Sequence, residues 1–180
     1  MRKLQLNEVK HVLSKLGHIP IFHYLSDDEK WQLLDICEIY EYFPDEKIIN
    51  QGEVGNCFYS ILMGNVNVTV MDSSTGKEIF MSMLGEGDFF GEAAIFSNGR
   101  RTANVIAADY TEILCIKRTD LFSYITRYKS AGIKILMFFI DGLLKKLNVS
   151  NQELAFERRE VLEQTAIDQF LQTLDEDNNK

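Results

Sequence analysis

"FGEAAIFSNGRRTANVIA", residues 90–107, decides how this chain is read. Around it lie short apolar segments rich in β-branched residues. Here glycine and two alanines take over, with no β-branched residue until Ile95. That lapse predicts a short helical turn beginning at Gly91 and Glu92. The first amides of a helix lack partners within the helix and favour an anion. Arg101 follows Gly91 by ten residues, enough chain for a turn, a loop and the start of the next strand. A guanidinium in that place can fork onto two oxygens of a phosphate. Glu92 would repel the same phosphate, so its carboxylate is better explained as an acceptor for hydroxyl groups such as a ribose 2′-OH. A sugar and a phosphate held together describe a nucleotide. The competing explanation is a plain internal salt bridge between Glu92 and Arg101.

Outward from this stretch, residues 45–118 read as a β domain. "KIIN", "CFYSILM", "NVNVTV", "EIFMSML", "ANVIA" and "EILCIK" are strand segments separated by glycine turns. "NVNVTV" alternates with period two, and "MDSSTGKE" reads as a hairpin turn. Strands this short and this regularly punctuated predict an antiparallel β-barrel or jelly roll, mainly β with flanking helices. Residues 1–44 read as an N-terminal helical segment. Leu6, Val9, Val12, Leu13 and Leu16 recur at helical spacing before Gly17, and Ser26 with Glu29 forms a capping-box pattern for a second short helix. Residues 119–172 read as C-terminal helices: a short one capped by Thr119, then a long one after Ser130. Ile133, Ile140, Leu147, Leu154 and Val161 recur every seven residues, with Leu136 and Leu143 in the second seam position. This predicts a homodimer seam over 133–154, with packing of the stripe on the chain's own barrel as the alternative. Residues 173–180 are acidic and polar and read as a disordered tail.

The chain has 180 residues, is 46% hydrophobic and carries a net charge of −8. An acidic surface argues against nucleic acid as the main partner, because phosphate contacts need clustered Lys and Arg. The three cysteines, Cys37, Cys57 and Cys115, form no CxxC and no Cys/His cluster, so neither zinc nor a disulfide framework is expected. No cofactor or metal is expected. His11, His18 and His23 all precede the barrel, which leaves no ligand set for a metal-dependent barrel enzyme and no haem or iron–sulfur site. The longest apolar run, "ILMFFI", is too short for a membrane span, and the N-terminus lacks a signal-peptide core. A reducing, cytoplasmic setting is the expectation.

"FGEAAI", then five residues, then "RTANVIA" resembles the phosphate-binding cassette of the cyclic-nucleotide-binding domain family. "IINQGEVGNCFYSILMG", residues 48–64, resembles that family's second signature, although Ser60 stands where the family has an apolar residue. The resemblance covers roughly residues 19 to 155, with the cassette at about 89–105. It implies that Glu92 accepts from the ribose hydroxyl and that the amides of Ala93 and Ala94 bind the cyclic phosphate. Gly91 would allow the approach and Arg101 would pair with the charge. Thr102 would add an amide or its hydroxyl, and Ala103 would close the pocket. Phe89 and Phe90 would wedge the cassette against the barrel.

"LLKKLNVSNQELAF", residues 143–156, resembles the long helix of the bacterial catabolite-activator branch of the family. That implies contacts from Ser150 and Asn151 to the base. Ser150 with Glu153 also fits a capping box that would open a separate helix, and that alternative stays open. The implied ligand is cAMP, with cGMP as the alternative. About 25 residues follow Phe156 in a net-acidic stretch, too few and of the wrong charge for a helix-turn-helix, so DNA binding by this chain is not expected. Met1 and the polar end suit a stand-alone sensor acting on an unknown protein effector. A ligand-free scaffold or dimerisation module of the same fold is the strongest rival.

Overall fold

The computed structural model describes residues 1–4, 19–96 and 99–178, with side chains except at Ala94 and at 166–178. Met1–Phe138 forms one compact unit and Phe139–Lys180 a second.

The first unit is built from two antiparallel sheets. One has five strands in the order β1 (Arg2–Lys3), β2 (Cys37–Tyr42), β9 (Thr111–Lys117), β4 (Cys57–Met63), β7 (Phe89–Phe90). The other has four, in the order β3 (Lys47–Ile49), β8 (Asn104–Ala107), β5 (Val66–Met71), β6 (Glu78–Leu84). The strand segments legible in the sequence are these strands. An apolar core of Tyr42, Ile49, Ile61, Val66, Phe90, Val105, Ala107 and Ile113 draws on both sheets. The alternate residues of β4 and β9, among them Phe58, Leu62, Leu114 and Ile116, are also fully buried. Both faces of these central strands are therefore covered, which is why they read as near-continuous apolar runs. Ser60 is buried as well, and its hydroxyl donates to the Asp88 carbonyl at 3.3 Å. The β5–β6 hairpin turns at Asp72, which accepts from the Ser74 amide at 2.8 Å and the Thr75 hydroxyl at 2.6 Å.

Helix α1 spans Pro20–His23 and α2 spans Asp27–Leu34. The capping box at Ser26 and Glu29 is formed in both directions. Glu29 does more than cap: its carboxylate meets Lys134 at 2.7 Å, and its carbonyl accepts from the Tyr124 hydroxyl at 2.9 Å. Helix α4 spans Arg118–Arg127 and α5 spans Lys129–Asn178. Phe89 links sheet to helix, with ring centroids 5.7 Å from Phe58 and 5.0 Å from Phe138.

Four boundaries differ from the sequence reading. The segment 1–44 is not wholly helical: Cys37–Tyr42 is a strand between β1 and β9. "CEIYEY" is aromatic and β-branched, and it has two neighbours to pair with, so tertiary pairing decides it. Thr119 does not cap α4. The cap residue is Lys117, and the Thr119 hydroxyl turns to the Asp120 carboxylate at 3.1 Å. Ser150 opens no separate helix, because α5 runs through it. That helix also continues to Asn178, through most of the tail expected to be disordered. The amphipathic stretch at Leu6–Leu16 lies outside the described residues. Among the described residues, no helix is long and apolar enough to cross a membrane.

Candidate functional site

Strand β7 pairs with β4, Phe90 opposite Tyr59. The chain then leaves the sheet at Gly91, whose φ of +79° is left-handed, a conformation that costs a side chain free energy. A Cβ there would also stand 2.6 Å from Arg101 Nη1 and 2.9 Å from the Cys57 carbonyl. After this turn comes the expected helical segment, α3, spanning Glu92–Phe96. Ile95 is fully buried and anchors it. Phe96 meets Phe122 of α4 edge-on at 6.4 Å.

Arg101 approaches from the other side. Its amide donates to the Glu53 carbonyl at 2.8 Å, and its carbonyl accepts from the Gly52 amide at 2.8 Å. These bonds lace the segment before β8 to the "GEVG" turn before β4. The Arg101 side chain is then buried to 9% exposure. Nη1 donates to the Gly91 carbonyl at 3.2 Å and Nη2 to the Cys57 carbonyl at 3.0 Å. The guanidinium lies 5.5 Å from the Tyr59 ring centroid, and Tyr59 is in turn stacked on Phe90 at 5.1 Å. Gly55 closes the cradle: a Cβ there would come within 2.1 Å of Arg101 Nε.

Arg101 makes no ion pair among the described residues, so the Glu92–Arg101 salt bridge is not present among them. A guanidinium has five N–H donors, and two bonds to neutral carbonyls leave its charge uncompensated. Burying a cation in that state is costly unless an anion joins it. The arrangement can therefore do one thing well, which is hold a phosphate or another doubly oxygenated anion against Gly91 and the opening of α3.

The predicted residues fall out as follows. Gly91, Glu92, Ala93 and Ala94 form the turn and first turn of α3. Arg101 is brought onto Gly91. Thr102 and Ala103 follow it in the irregular segment before β8, Thr102 exposed and Ala103 half-buried. Glu92 is half-buried at the start of α3. Ser150 and Asn151 are exposed in the middle of α5, in the second unit. Arg100, beside Arg101, donates from Nη1 to the Gly52 carbonyl at 2.7 Å. Three contributors escaped the sequence reading: Gly55, the Cys57 carbonyl and the Tyr59 ring. The glycine turn in "GEVGNCFY" was the available signal, but no spacing rule connects it to an arginine 46 residues later.

The family model described as "Cyclic nucleotide-binding domain" matches residues 40–128. The cGMP-dependent protein kinase, isozyme 2 forms cD5/T2, of Drosophila melanogaster is 38% identical over a stretch covering 56% of this chain and 11% of that protein. The cAMP-dependent protein kinase regulatory subunit of Mycosarcoma maydis is 37% identical over 54% of this chain and 18% of its own length. This chain thus spans less than a fifth of either relative. Among solved structures, the catabolite activator protein of Thermus thermophilus superposes with a TM-score of 0.64 at 28% identity, covering 77% of this chain and 64% of the other.

Proposed function

The chain belongs to the cyclic nucleotide-binding domain family through residues 40–128, and on that premise we propose that it is a cyclic-nucleotide sensor that takes cAMP, with cGMP as the alternative ligand. The observation that carries the reading is Arg101: a buried guanidinium with two carbonyl partners and no carboxylate among the described residues. The cyclic phosphate supplies the missing charge. Gly91 gives it room, the amides of Ala93 and Ala94 meet it, and Glu92 accepts from the ribose hydroxyl. Thr102 adds a further polar contact and Ala103 closes the pocket. Ser150 and Asn151 are the residues that the likeness to the catabolite-activator helix offers for the base. The preference for cAMP rests on the likeness of residues 143–156 to the catabolite-activator helix. The relatives include proteins named for each nucleotide.

The role is regulatory binding rather than catalysis. Ligand orders α3, and the Phe96–Phe122 contact passes the change to α4. A ligand shifts such an equilibrium only by the difference in its affinity for the two states. The exposed seven-residue repeat of α5 serves a homodimer, and the output goes to a protein effector.

Calorimetric titration with cAMP, cGMP and 5′-AMP tests this reading on protein freed of co-purified nucleotide. Micromolar or tighter binding of one cyclic nucleotide and none of 5′-AMP is the expected result. No heat and no thermal stabilisation with either would make the chain a ligand-free scaffold.

A further inference from the structure

A thiol stands in the wall of this site. Cys57 is the first residue of β4, and its own carbonyl is the acceptor for Arg101 Nη2 at 3.0 Å. In the β4–β9 ladder Cys57 lies opposite Lys117, and Tyr59 lies opposite Cys115. Residues directly opposite share a face, as do residues two apart. Cys57, Tyr59, Cys115 and Lys117 therefore make one patch, and Arg101 lies over the Tyr59 ring of that patch. Two cations and a second thiol thus surround Cys57. Cys57 is half-buried, whereas Cys115 is buried. The Cys115 thiol first, then the Tyr59 hydroxyl, Arg101 and Lys117, bring the Cys57 thiol down to about 7 against the effect of burial. The Cys57 thiol donates to Asn56 Oδ1 at 3.3 Å, and the Cys37 thiol donates to the Leu33 carbonyl at 3.1 Å. Cys37 differs in that no cation among the described residues offsets its burial, which pushes it up.

We propose that Cys57 is an oxidation site of this pocket: a peroxide converts its thiolate to a sulfenic acid, whose added oxygen competes with a bound anion for Arg101. In the step the sulfur attacks one peroxide oxygen and a C–S–O linkage forms as the O–O bond breaks. Sulfur loses two electrons, the peroxide gains them, and with hydrogen peroxide the leaving hydroxide takes a proton and departs as water. The new oxygen is an acceptor on the residue that already holds the guanidinium. Occupancy by a phosphate and oxidation of Cys57 then oppose one another.

The competition rests on the anion-binding reading of Arg101, but the thiol chemistry can be read without it. The full-length reduced protein is treated with hydrogen peroxide at neutral pH, and sulfenic acid at each cysteine is trapped and counted by peptide mass mapping. Cys37 and Cys57 are both half-buried, so the difference rests on thiolate character, and Cys57 beside Arg101 and Lys117 should be labelled roughly tenfold faster than Cys37. Equal rates at the two cysteines overturn the inference whatever the protein binds. Saturating cAMP should slow the labelling of Cys57, and oxidised protein should bind cAMP at least about tenfold more weakly. Unchanged affinity after full oxidation of Cys57 overturns it too. Inorganic phosphate, added in a parallel arm, separates the two readings. If calorimetry shows no cyclic-nucleotide binding but phosphate slows Cys57 labelling, the sensor reading falls and this one stands. If neither cAMP nor phosphate slows it, this one falls. In Cys57→Ser, peroxide should leave the affinity at that variant's own starting value. A peroxide-induced loss that persists there assigns the effect to another residue and sinks the proposal.

Discussion

Gly55 lies so close to Arg101 that a Cβ on it would stand 2.1 Å from Nε and 2.3 Å from the guanidinium carbon. The atoms it would meet belong to a long flexible side chain, which can swing away at little cost to the fold. It cannot swing away and still meet a phosphate. Gly55→Ala should therefore leave the melting temperature within a few degrees of wild type while weakening cyclic-nucleotide binding by roughly tenfold or more. Gly91→Ala should differ in kind. Its φ of +79° and the Cys57 carbonyl 2.9 Å from the added Cβ involve backbone, so stability should fall together with affinity. Thermal melts and calorimetry on the two variants check the contrast. Wild-type affinity in Gly55→Ala would mean that Arg101 does not hold the ligand from this cradle.

Arg101→Ala removes the charge itself. A buried phosphate left without its cationic partner should lose about 3 kcal/mol or more of binding, roughly a hundredfold in affinity. The same change empties the space beside Gly55 and leaves two carbonyls without donors, so a small stability loss is expected as well. Binding within threefold of wild type would show that the site has been assigned to the wrong residue.

The turn at Gly91 and the short helix after it were legible because their chemistry is local. Gly91 and Glu92 open a helix that the alanines permit, and Arg101 follows within one loop. The strand segments were legible for the same reason, each carrying its own apolar pattern and turn residues. What escaped depends on distant partners. Cys37–Tyr42 is a strand because β9 and β1 flank it, and nothing within "CEIYEY" names them. Tyr59 reads as one more apolar strand residue until Arg101 is seen over its ring. Ser150 fits a cap and a base contact equally well in one dimension. Only the continuity of α5 removes the first of these readings.

Glu38 ties three elements together. Its carboxylate meets Lys3 at 2.7 Å and Lys117 at 3.3 Å and accepts from the Tyr40 hydroxyl at 2.8 Å. Lys3 first, then Tyr40 and Lys117, hold the carboxyl down at about 2, well below its ordinary value of 4.5. A lowered folded-state value means that the contribution is fully present above about pH 4.5. It fades as pH falls from there through about pH 2. The two lysines are about half exposed, so the effect is modest. Glu38→Gln should lower the melting temperature at neutral pH by about 2–4 °C and leave it near wild type at the acid end of that window. Melts across the window check the sign. A deficit that grows on acidification would assign the stabilising charge elsewhere.

The long helix presents its seven-residue repeat to solvent. Ile140, Leu147 and Leu154 are 51%, 56% and 48% exposed, and Leu143 is exposed beside them. In the proposed homodimer these side chains, repeated every seven residues along one helix, form the seam, and covering them is what would drive the coiled coil together. Two carboxylates placed in such a seam would face their own copies across a two-fold axis, and desolvating them costs more than the lost apolar contact. Leu143→Glu combined with Leu147→Glu should therefore give a monomer by light scattering where wild type is a dimer. These side chains are exposed within one chain, so the barrel unit should melt near its wild-type temperature. A variant that stays dimeric would move the interface to another surface, and a wild type that is monomeric at all accessible concentrations would remove the seam altogether.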